Sequence, residues 1–369
     1  ARPLQLAYGP RPRPPAHRHG RLTANHKGRR MYEFCTYFDQ RYLPRGLALY
    51  ASLLRNCASF RLRVLCLDAV THEVLTDMAL PSLDPISIDD FERANPDVAA
   101  ARQERSLLEY YFTCTPALIL HALDGVQNGE LLTYLDADLW LFADPAPLLD
   151  ELRDSSIGLV PHFHSPLNLR NSRGRYNIGW ITFRNDERAR DALTSWRQQC
   201  IDWCYAKLED GKYADQKYLD DWPETRPGTK VLENAGAGLA PWNITGHVIA
   251  VVDGRTTIDG DDVFFFHFSQ MRRVNAMIYD TMLPAFRARE TGAAVEALYK
   301  PYVRELDAIY RQLAPLRLDL APLVVPRRRF AGLPLGAYLQ ALARGVHRLY
   351  RGVFRGGFVY VWRGRVYGG

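Results

Sequence analysis

Two aspartates, Asp136 and Asp138, stand one residue apart directly after a predicted buried strand, Glu130–Leu135. Ligands of open α/β sheets bind at this carboxyl edge of the strands. Oxygen ligands at this spacing suit a hard divalent cation such as Mn²⁺ or Mg²⁺, with phosphate groups completing the coordination shell. A solvated turn is the alternative, but apolar residues on both sides disfavour two adjacent solvated charges. The pattern therefore predicts a metal site.

A site with two carboxylates needs another protein ligand, and His267 ends a strongly apolar predicted strand, Val263–Phe268. Alone, such a histidine is more often a buried core residue. Beside the two aspartates it becomes the expected third ligand of the metal. Arg272 and Arg273 follow within the next six residues and are candidates to bind phosphate groups next to that metal, with a solvated basic pair as the alternative.

Strands and helices alternate over the first 140 residues, which indicates an α/β fold with a mostly parallel, doubly wound sheet. The predicted elements of this half are strands at 34–38, 62–66, 85–88 and 130–135 and helical regions at 44–56 and 97–123, the second one bent near Pro116. The second half adds predicted strands at 157–160, 176–183, 248–252 and 263–268 and helices at 186–208 and 284–313. The dipeptide Asp253-Gly254 predicts a hairpin turn.

Three features in this order resemble a known family: the run Thr36–Gly46, the element Asp136-Ala137-Asp138 and the late His267. They are similar to the retaining glycosyltransferases of the GT-A fold. Within that fold they most resemble glycosyltransferase family 8, the group that includes glycogenin and bacterial lipopolysaccharide galactosyl- and glucosyltransferases. The resemblance implies a single catalytic domain over residues 31–283, with a Rossmann-like, doubly wound mixed sheet.

The resemblance also implies further site residues. Tyr176–Trp180 resembles the family's aromatic-Asn-x-Gly strand near the donor sugar, and Ala214–Lys217 resembles its Asp-Gln pair at a helix start. An edge strand with a glycine bulge and a plain helix cap are the alternatives. Family members follow the late histidine with Gly and Lys-Pro-Trp, whereas Arg273 stands here at the position of the lysine. The implied roles are Asp215 and Gln216 as catalytic residues and Asp39, Tyr42, Asn177 and Arg273 as donor-binding residues.

The implied activity is transfer of a sugar from a nucleotide diphosphate donor, expected to be UDP-linked, to a glycan or lipid-linked acceptor. The reaction would use Mn²⁺ or Mg²⁺, retain the anomeric configuration and belong to lipopolysaccharide or polysaccharide biosynthesis. One alternative is a catalytically inactive GT-A protein that binds carbohydrate. Another is a sugar-nucleotide pyrophosphorylase, which would carry a glycine-rich loop after the first strand, whereas Phe34–Gly46 has only Gly46.

Charge is distributed very unevenly along the 369 residues. The net charge is +6, but residues 1–30 hold eight Lys or Arg and no acid, and residues 321–369 hold nine Arg and no acid. The body between them has 30 Lys or Arg against all 41 acids, a net charge of −11. That sign disfavours a nucleic-acid-binding body, so we expect no nucleic-acid partner. An apolar content of 47% fits a globular chain.

The two ends carry separate expectations. Residues 1–30 are rich in Pro, Arg, His and Gly, which predicts a disordered basic extension. Met31 is the expected natural start of the protein, and a functional basic arm is the alternative. Six cysteines without a C-x-x-C pair predict free thiols in a reducing compartment, which favours the cytoplasm.

The C-terminal part is predicted to hold a helical extension, 284–325, and a basic amphipathic tail, 326–369. As a helix, residues 335–355 align an apolar stripe opposite an arginine face, the pattern of a helix that lies on an anionic membrane surface. Aromatic residues between 358 and 367 favour the same interface. We therefore expect peripheral attachment to the inner face of the cytoplasmic membrane. Docking of the stripe on the acidic body is the alternative.

Overall fold

The computed structural model describes residues 31–163, 173–288, 291–320 and 357–368. The predicted N-terminal extension and the predicted helix 335–355 lie outside these residues. In the first half, strands and helices alternate as expected. The elements are β1 (Tyr32–Phe38), α1 (Leu43–Asn56), β2 (Phe60–Cys66), α2 (Ala69–Met78), β3 (Leu83–Ser87), α3 (Ile88–Ala94), α4 (Pro96–Ala101), α5 (Leu107–Leu123) and β4 (Leu131–Leu135).

The second half is built from shorter strands. The elements up to residue 231 are β5 (Leu139–Leu141), α6 (Ala146–Asp150), β6 (Ile157–Pro161), β7 (Tyr176–Arg184), α7 (Glu187–Asp202), α8 (Trp222–Thr225) and β8 (Thr229–Val231). The remaining ones are β9 (Ile249–Val252), β10 (Arg255–Ile258), β11 (Asp261–Asp262), β12 (Phe265–His267), β13 (Arg272–Arg273), β14 (Ile278–Asp280), α9 (Thr291–Ala294), α10 (Lys300–Leu313), β15 (Phe358–Trp362) and β16 (Arg365–Gly368).

Seven of these strands form a mixed central sheet in the order β3-β2-β1-β4-β7-β6-β8. The strands β3, β2, β1 and β4 are parallel neighbours, and β7 runs antiparallel to both β4 and β6. The prediction of an α/β fold with a doubly wound mixed sheet is therefore confirmed. Three smaller sheets complete the fold, in the orders β11-β10-β9, β12-β5 and β13-β14-β15-β16.

Side chains of β1 alternate between two hydrophobic cores, one on each face of the central sheet. Phe34 lies in the core that α1 and α10 cover, and Cys35 lies in the core that α5 and α7 cover. The α10 helix is thus part of the main core: Tyr302 on it is fully buried. Part of the predicted helical extension, residues 294–313, therefore packs into the main core.

Three predicted helices end or break at other places than expected. The region 97–123 is two helices, because Ser106 and Glu109 form a reciprocal capping box that starts α5 afresh. Pro116 lies inside α5 and does not end it. The helix predicted at 186–208 ends at Asp202, and the one at 284–313 begins with a 3₁₀ turn, Leu283–Phe286.

The hairpin turn predicted between β9 and β10 is confirmed. Asp253 and Gly254 have φ angles of 50° and 77°, as a two-residue hairpin turn requires.

The end of the predicted membrane tail differs from expectation. Residues 358–368 form a hairpin that pairs with β14, and Phe358, Val359 and Val361 are buried there. Among the described residues, no helix combines the length and the apolar character needed to cross a bilayer.

The contact between α1 and β1 yields a stability prediction. A Cβ atom on Gly46 would overlap the ring of Phe38, which is 2% exposed and cannot move aside freely. We expect Gly46→Ala to lower the free energy of unfolding by about 1–3 kcal/mol because of overpacking. Urea unfolding followed by circular dichroism measures this. Gly292→Ala is the matched control, since a Cβ there meets nothing within 4 Å. Equal stability of the two variants would contradict the packing argument.

Candidate metal centre and its surroundings

The two aspartates lie where β4 gives way to β5. The backbone N–H of Asp136 donates to the carbonyl of Gly179 on β7 (2.9 Å), which continues the sheet pairing one residue past β4. The N–H of Leu139 then donates to the carbonyl of Asp136 (3.0 Å), closing a turn. This turn holds both carboxylates at the carboxyl edge of the parallel strands, where the sequence placed them.

His267 reaches the aspartates through the antiparallel pairing of β5 with β12, in which His267 lies opposite Leu139. The N–H of Phe268 donates to the carbonyl of Asp138 (3.0 Å), extending this pairing. The imidazole Nε2 lies 3.1 Å from Oδ1 of Asp138 and 3.4 Å from Oδ2 of Asp136. One ligand atom from each of the three residues lies within 4.8 Å of the others. The predicted set is therefore assembled in one place.

Asn177 fixes the far side of the imidazole. Its Oδ1 accepts the N–H of Gly179 (2.9 Å), which leaves its amide Nδ2 to donate to Nδ1 of His267 (3.1 Å). Gly179 itself leaves no room for a side chain. A Cβ atom there would lie 2.9 Å from the His267 ring and 3.0 Å from Oδ2 of Asp136. The glycine of the Asn-x-Gly strand is thus required by the close approach of two candidate ligands.

The three candidate ligands perturb one another electrostatically. Burial raises the pKa of Asp136, and the nearby Asp138 raises it further. Burial acts in the same direction on Asp138, but His267 and Arg45 hold the pKa of that carboxyl below its usual value. Burial would lower the pKa of His267, yet the two carboxylates raise it. Two carboxylates and one imidazole in a small volume form a donor set that suits a divalent cation.

A basic cavity of about 150 Å³ opens close to this centre. Arg45 belongs to it and also senses the charge of Asp138, so the cavity and the metal centre are neighbours. The guanidinium carbon of Arg273 lies 3.8 Å from the ring centroid of Tyr310. The buried Nε of Arg273 has no hydrogen-bond partner among the described residues. Such a cavity suits the phosphate groups of a ligand. Its lining residues are Arg41, Tyr42, Arg45, Gln270, Met271, Arg272, Arg273 and Tyr310.

Two further predicted residues lie at the end of β1 next to this cavity. The Asp39 carboxylate accepts the N–H groups of Arg41 (3.0 Å) and Tyr42 (3.2 Å), which shapes the turn into α1. Burial raises the pKa of Asp39, and the nearby Asp68 adds to the effect. The ring of Tyr42 lies 4.2 Å from the guanidinium carbon of Arg45. Tyr42 therefore lines the cavity, and Asp39 is hydrogen-bonded to two of its lining residues.

The predicted Asp-Gln pair separates into a buried and a more exposed residue. Asp215 is 5% exposed, and burial raises the pKa of its carboxyl to about 7, with a contribution from Asp136. Gln216 is only partly buried, and its amide donates to the carbonyl of Arg173 (2.7 Å). Asp215 thus feels the charge of Asp136 at the metal centre, whereas Gln216 is hydrogen-bonded to the backbone of Arg173.

Some residues around the centre escaped the sequence analysis. The carbonyl of Leu239 accepts the N–H of His267 (2.8 Å), and the Trp242 ring lies edge-on to the imidazole at 5.7 Å. The loop Gly236–Asn243 therefore supports the histidine. The ring centroids of His162 and Trp242 lie 5.5 Å apart, so His162 packs against this loop. In the sequence, the only sign that this loop belongs to the site was Trp242 within a glycine-rich segment.

No protein-family model matches the sequence. Two curated relatives from Bacillus subtilis (strain 168) do. The chain is 28% identical to the uncharacterized protein YfnD over 300 residues, covering 80% of this chain and 95% of YfnD. It is 30% identical to the uncharacterized protein YfnF over 251 residues, covering 66% of this chain and 82% of YfnF. The chain belongs to the family of YfnF.

Several solved structures of glycosyltransferases are similar in fold. Mouse xyloside xylosyltransferase 1 matches at a TM-score of 0.42 and 15% identity, covering 65% of this chain and 98% of that one. The galactosyltransferase LgtC, with donor and acceptor sugar analogues, matches at a TM-score of 0.38 and 15% identity, covering 57% and 76%. An active-site mutant of LgtC matches at 0.44 and 13% identity, covering 64% and 87%.

The crowding at Gly179 predicts a specific loss of metal binding. We expect Gly179→Ala to displace the His267 ring or the Asp136 carboxylate and to weaken Mn²⁺ affinity by about 10–100-fold, the usual effect of disturbing groups that orient ligands. Isothermal calorimetry with MnCl₂ measures this, with Gly292→Ala as a control of matched chemistry. Wild-type affinity in Gly179→Ala, with the protein folded, would show that the three residues do not bind the ion together.

Proposed function

We propose that the protein is a metal-dependent glycosyltransferase that moves a sugar from a nucleotide diphosphate donor, UDP-linked, to a glycan or lipid-linked acceptor with retention of configuration. The observation that carries this proposal is the Asp136-Asp138-His267 cluster beside an arginine-lined cavity at the carboxyl edge of the sheet. A cation site adjoining a cationic cavity is what a diphosphate needs on its two sides. The resemblance to glycosyltransferase family 8 supplies the reaction class.

Asp136, Asp138 and His267 would hold Mn²⁺ or Mg²⁺, which supplies Lewis-acid stabilisation of charge on the departing diphosphate. Arg273 reaches the same cavity from β13, with its guanidinium stacked on Tyr310. Stacking orients the guanidinium and leaves its N–H groups directed at an anion. Arg45 stands on the other side of the cavity, where its N–H donates to the Met271 carbonyl (2.6 Å). The two arginines would hold the phosphates in register with the cation.

The donor's other parts are assigned to neighbouring residues. Asp39 and Tyr42 at the end of β1 would hold the nucleoside, with Asp39 accepting a hydrogen bond and the Tyr42 ring stacking. Asn177 would keep the His267 ring in place and face the donor sugar. Asp215 would orient sugar hydroxyl groups, and Gln216 would lie near the anomeric carbon. Most of the catalysis then comes from positioning and electrostatics.

The expected retention of anomeric configuration follows from the group that accepts the proton of the acceptor hydroxyl. As the glycosidic bond to the phosphate lengthens, the departing phosphate oxygen accepts the proton of the acceptor hydroxyl on the same face of the sugar. That oxygen replaces a general base, so the new bond forms on the face that the leaving group vacates. No separate base is required from the protein, and precise placement of donor and acceptor becomes the main requirement.

We also propose that the enzyme works at the inner face of the cytoplasmic membrane, in lipopolysaccharide or polysaccharide biosynthesis. The support comes from the sequence of residues 335–355, which as a helix would place its arginines and its apolar residues on opposite faces. Each arginine near an anionic surface contributes about 1 kcal/mol. A lipid-linked acceptor would make such attachment useful. The membrane proposal rests on this segment alone, because residues 358–368 belong to a sheet.

The transferase proposal is tested with one substitution. Asp138→Ala should abolish Mn²⁺-dependent release of UDP from a panel of UDP-sugars, because the cation loses a ligand while the chain stays folded. Asp77→Ala, an exposed acid on α2, is the control and should keep full activity. Turnover of the active donor followed by NMR should show a retained anomeric configuration. Wild-type turnover in Asp138→Ala, or inversion in the product, would refute the mechanism. UDP-sugar binding without release would indicate a carbohydrate-binding protein.

The membrane proposal is tested without disturbing the folded sheet. Replacing Arg344, Arg348, Arg351 and Arg355 by glutamine removes the cationic face and keeps the apolar stripe. The wild-type protein should co-sediment with vesicles of anionic phospholipid, and the quadruple variant should remain mostly in the supernatant. Vesicles of neutral phospholipid are the control. Equal sedimentation of both proteins with anionic vesicles would end the proposal.

A further inference from the structure

We propose that Arg41 and Arg272 bind a phosphate group of the acceptor, so that the acceptor substrate is a phosphate monoester of a glycan or of a lipid. This inference rests on the proposed function, because it assigns the other two arginines of the cavity, Arg45 and Arg273, to the diphosphate of the donor. It adds the chemical class of the acceptor and the two side chains that would recognise it.

The cavity beside the metal centre concentrates unpaired positive charge. Four arginines and no carboxylate line it. None of the four makes an ion pair within the described part of the chain. Arginines elsewhere on the acidic body do have carboxylate partners, as Arg63, Arg175 and Arg197 do at N–O distances of 2.6 to 3.2 Å. Four guanidinium groups around one cavity repel one another, and bound anions relieve that repulsion.

Two of the four arginines are held in place by the protein. The guanidinium carbon of Arg45 lies 4.2 Å from the ring centroid of Tyr42, and its Nη2 donates to the carbonyl of Met271 (2.6 Å). The guanidinium carbon of Arg273 lies 3.8 Å from the ring centroid of Tyr310. Groups that are oriented in advance lose little conformational entropy when a ligand binds, so this pair suits the donor diphosphate.

The other two arginines have no such support. The guanidinium groups of Arg41 and Arg272 make no hydrogen bond to the protein within the described residues. Asp39 lies near Arg41, but its carboxylate accepts the backbone N–H groups of Arg41 and Tyr42. Arg272 lies opposite Asp280 in the pairing of β13 with β14, without an ion pair between the two. Both guanidinium groups therefore keep their N–H donors for a ligand.

The donor diphosphate balances only half of the charge in the cavity. Each of its two phosphates carries one negative charge in a nucleotide sugar, and the two positive charges of the cation are offset by the two aspartates of the metal centre. Arg45, whose charge reaches Asp138, links the cavity to that centre. Arg45 and Arg273 thus offset the diphosphate, and two positive charges remain at Arg41 and Arg272.

The size of the remaining charge decides between classes of anionic acceptor. A phosphate monoester carries a charge of about −1.5 to −2 at pH 7, whereas a carboxylate carries a single negative charge. Guanidinium groups bind phosphate oxygens through paired N–H donors, and such charge-assisted hydrogen bonds are stronger than neutral ones. A phosphate monoester therefore matches Arg41 and Arg272 better than a uronic acid does.

The test is isothermal calorimetry on the full-length protein saturated with MnCl₂ and with the tightest-binding member of the panel of UDP-sugars. Glucose 1-phosphate represents a phosphate on a glycan, and dihexanoyl phosphatidic acid represents a phosphate on a lipid. At least one of them should bind to the loaded protein, and the tighter of the two identifies the source of the phosphate. Glucose should not bind, and glucuronate should bind more weakly than the preferred phosphate.

Substitutions separate the two pairs of arginines. Arg41→Gln and Arg272→Gln should each weaken phosphate binding by about tenfold, the equivalent of one charge-assisted hydrogen bond, and leave the affinity for the UDP-sugar unchanged. Arg273→Gln should weaken binding of the UDP-sugar instead. Arg153→Gln is the control, since Arg153 is exposed and does not line the cavity.

Competition between the phosphate and the UDP-sugar, or tighter binding of glucuronate, would overturn the inference. So would equal losses of UDP-sugar affinity in Arg41→Gln, Arg272→Gln and Arg273→Gln, because all four arginines would then serve the donor. Failure of both phosphates to bind, with UDP-sugar binding intact, would refute the inference alone. Absence of UDP-sugar binding would refute the proposed function and the inference with it.

Discussion

The pairing of β5 with β12 is the constraint on which the site depends. It joins two segments far apart in sequence, and each carries a candidate metal ligand at its end. Aromatic packing holds the pair from both sides: Phe265 stacks on Trp180 of β7 at 4.6 Å, and Phe268 stacks on Tyr302 of α10 at 3.9 Å. Helix α1 supplies a hydrogen-bond partner for the β5 backbone, because Ser52 Oγ accepts the N–H of Leu141 (3.1 Å). This packing holds His267 against Asp136 and Asp138, and the imidazole opposes the repulsion between the two carboxylates.

Electrostatics explains why the centre is surrounded as it is. Asp138 is buried and Asp136 is half-buried, so both carboxylates lose hydration at a cost in desolvation energy. Arg45 adds a positive charge whose field reaches Asp138, and Arg273 extends the positive potential along the cavity. The acidic body therefore contains a local region of opposite sign, just where an anionic ligand would meet a cation. The net charge of the body is negative, and this sum carries no information about where the arginines of the cavity lie.

The sequence predicted those parts of the fold that follow from local periodicity. β1, α1 and β4 show clear strand or helix patterns, and Asp136 follows β4 directly, so its place at the sheet edge was predictable. Leu139–Leu141 was missed because three apolar residues identify no strand, and their partner lies in a distant segment. Tyr37 and Thr115 were missed for another reason. Each fits an ordinary strand or helix pattern, and their hydroxyl groups meet only once the strands and α5 are packed. The break before α5 escaped notice because Pro116 is the more obvious helix-breaking signal.

The alternation of side chains along β1 and β4 divides the work of the site between the two faces of the sheet. Phe38 and Leu135 point into the core beside α1 and α10, the side on which the arginine cavity opens. Tyr37 and Tyr134, one residue earlier on each strand, belong to the core beside α5 and α7, where the Tyr37 hydroxyl lies 3.3 Å from Oγ1 of Thr115. The metal centre stands at the edge where these faces meet. A period of two thus places the arginine cavity on one side of the two aspartates and the hydroxyl groups of Tyr37 and Tyr134 on the other.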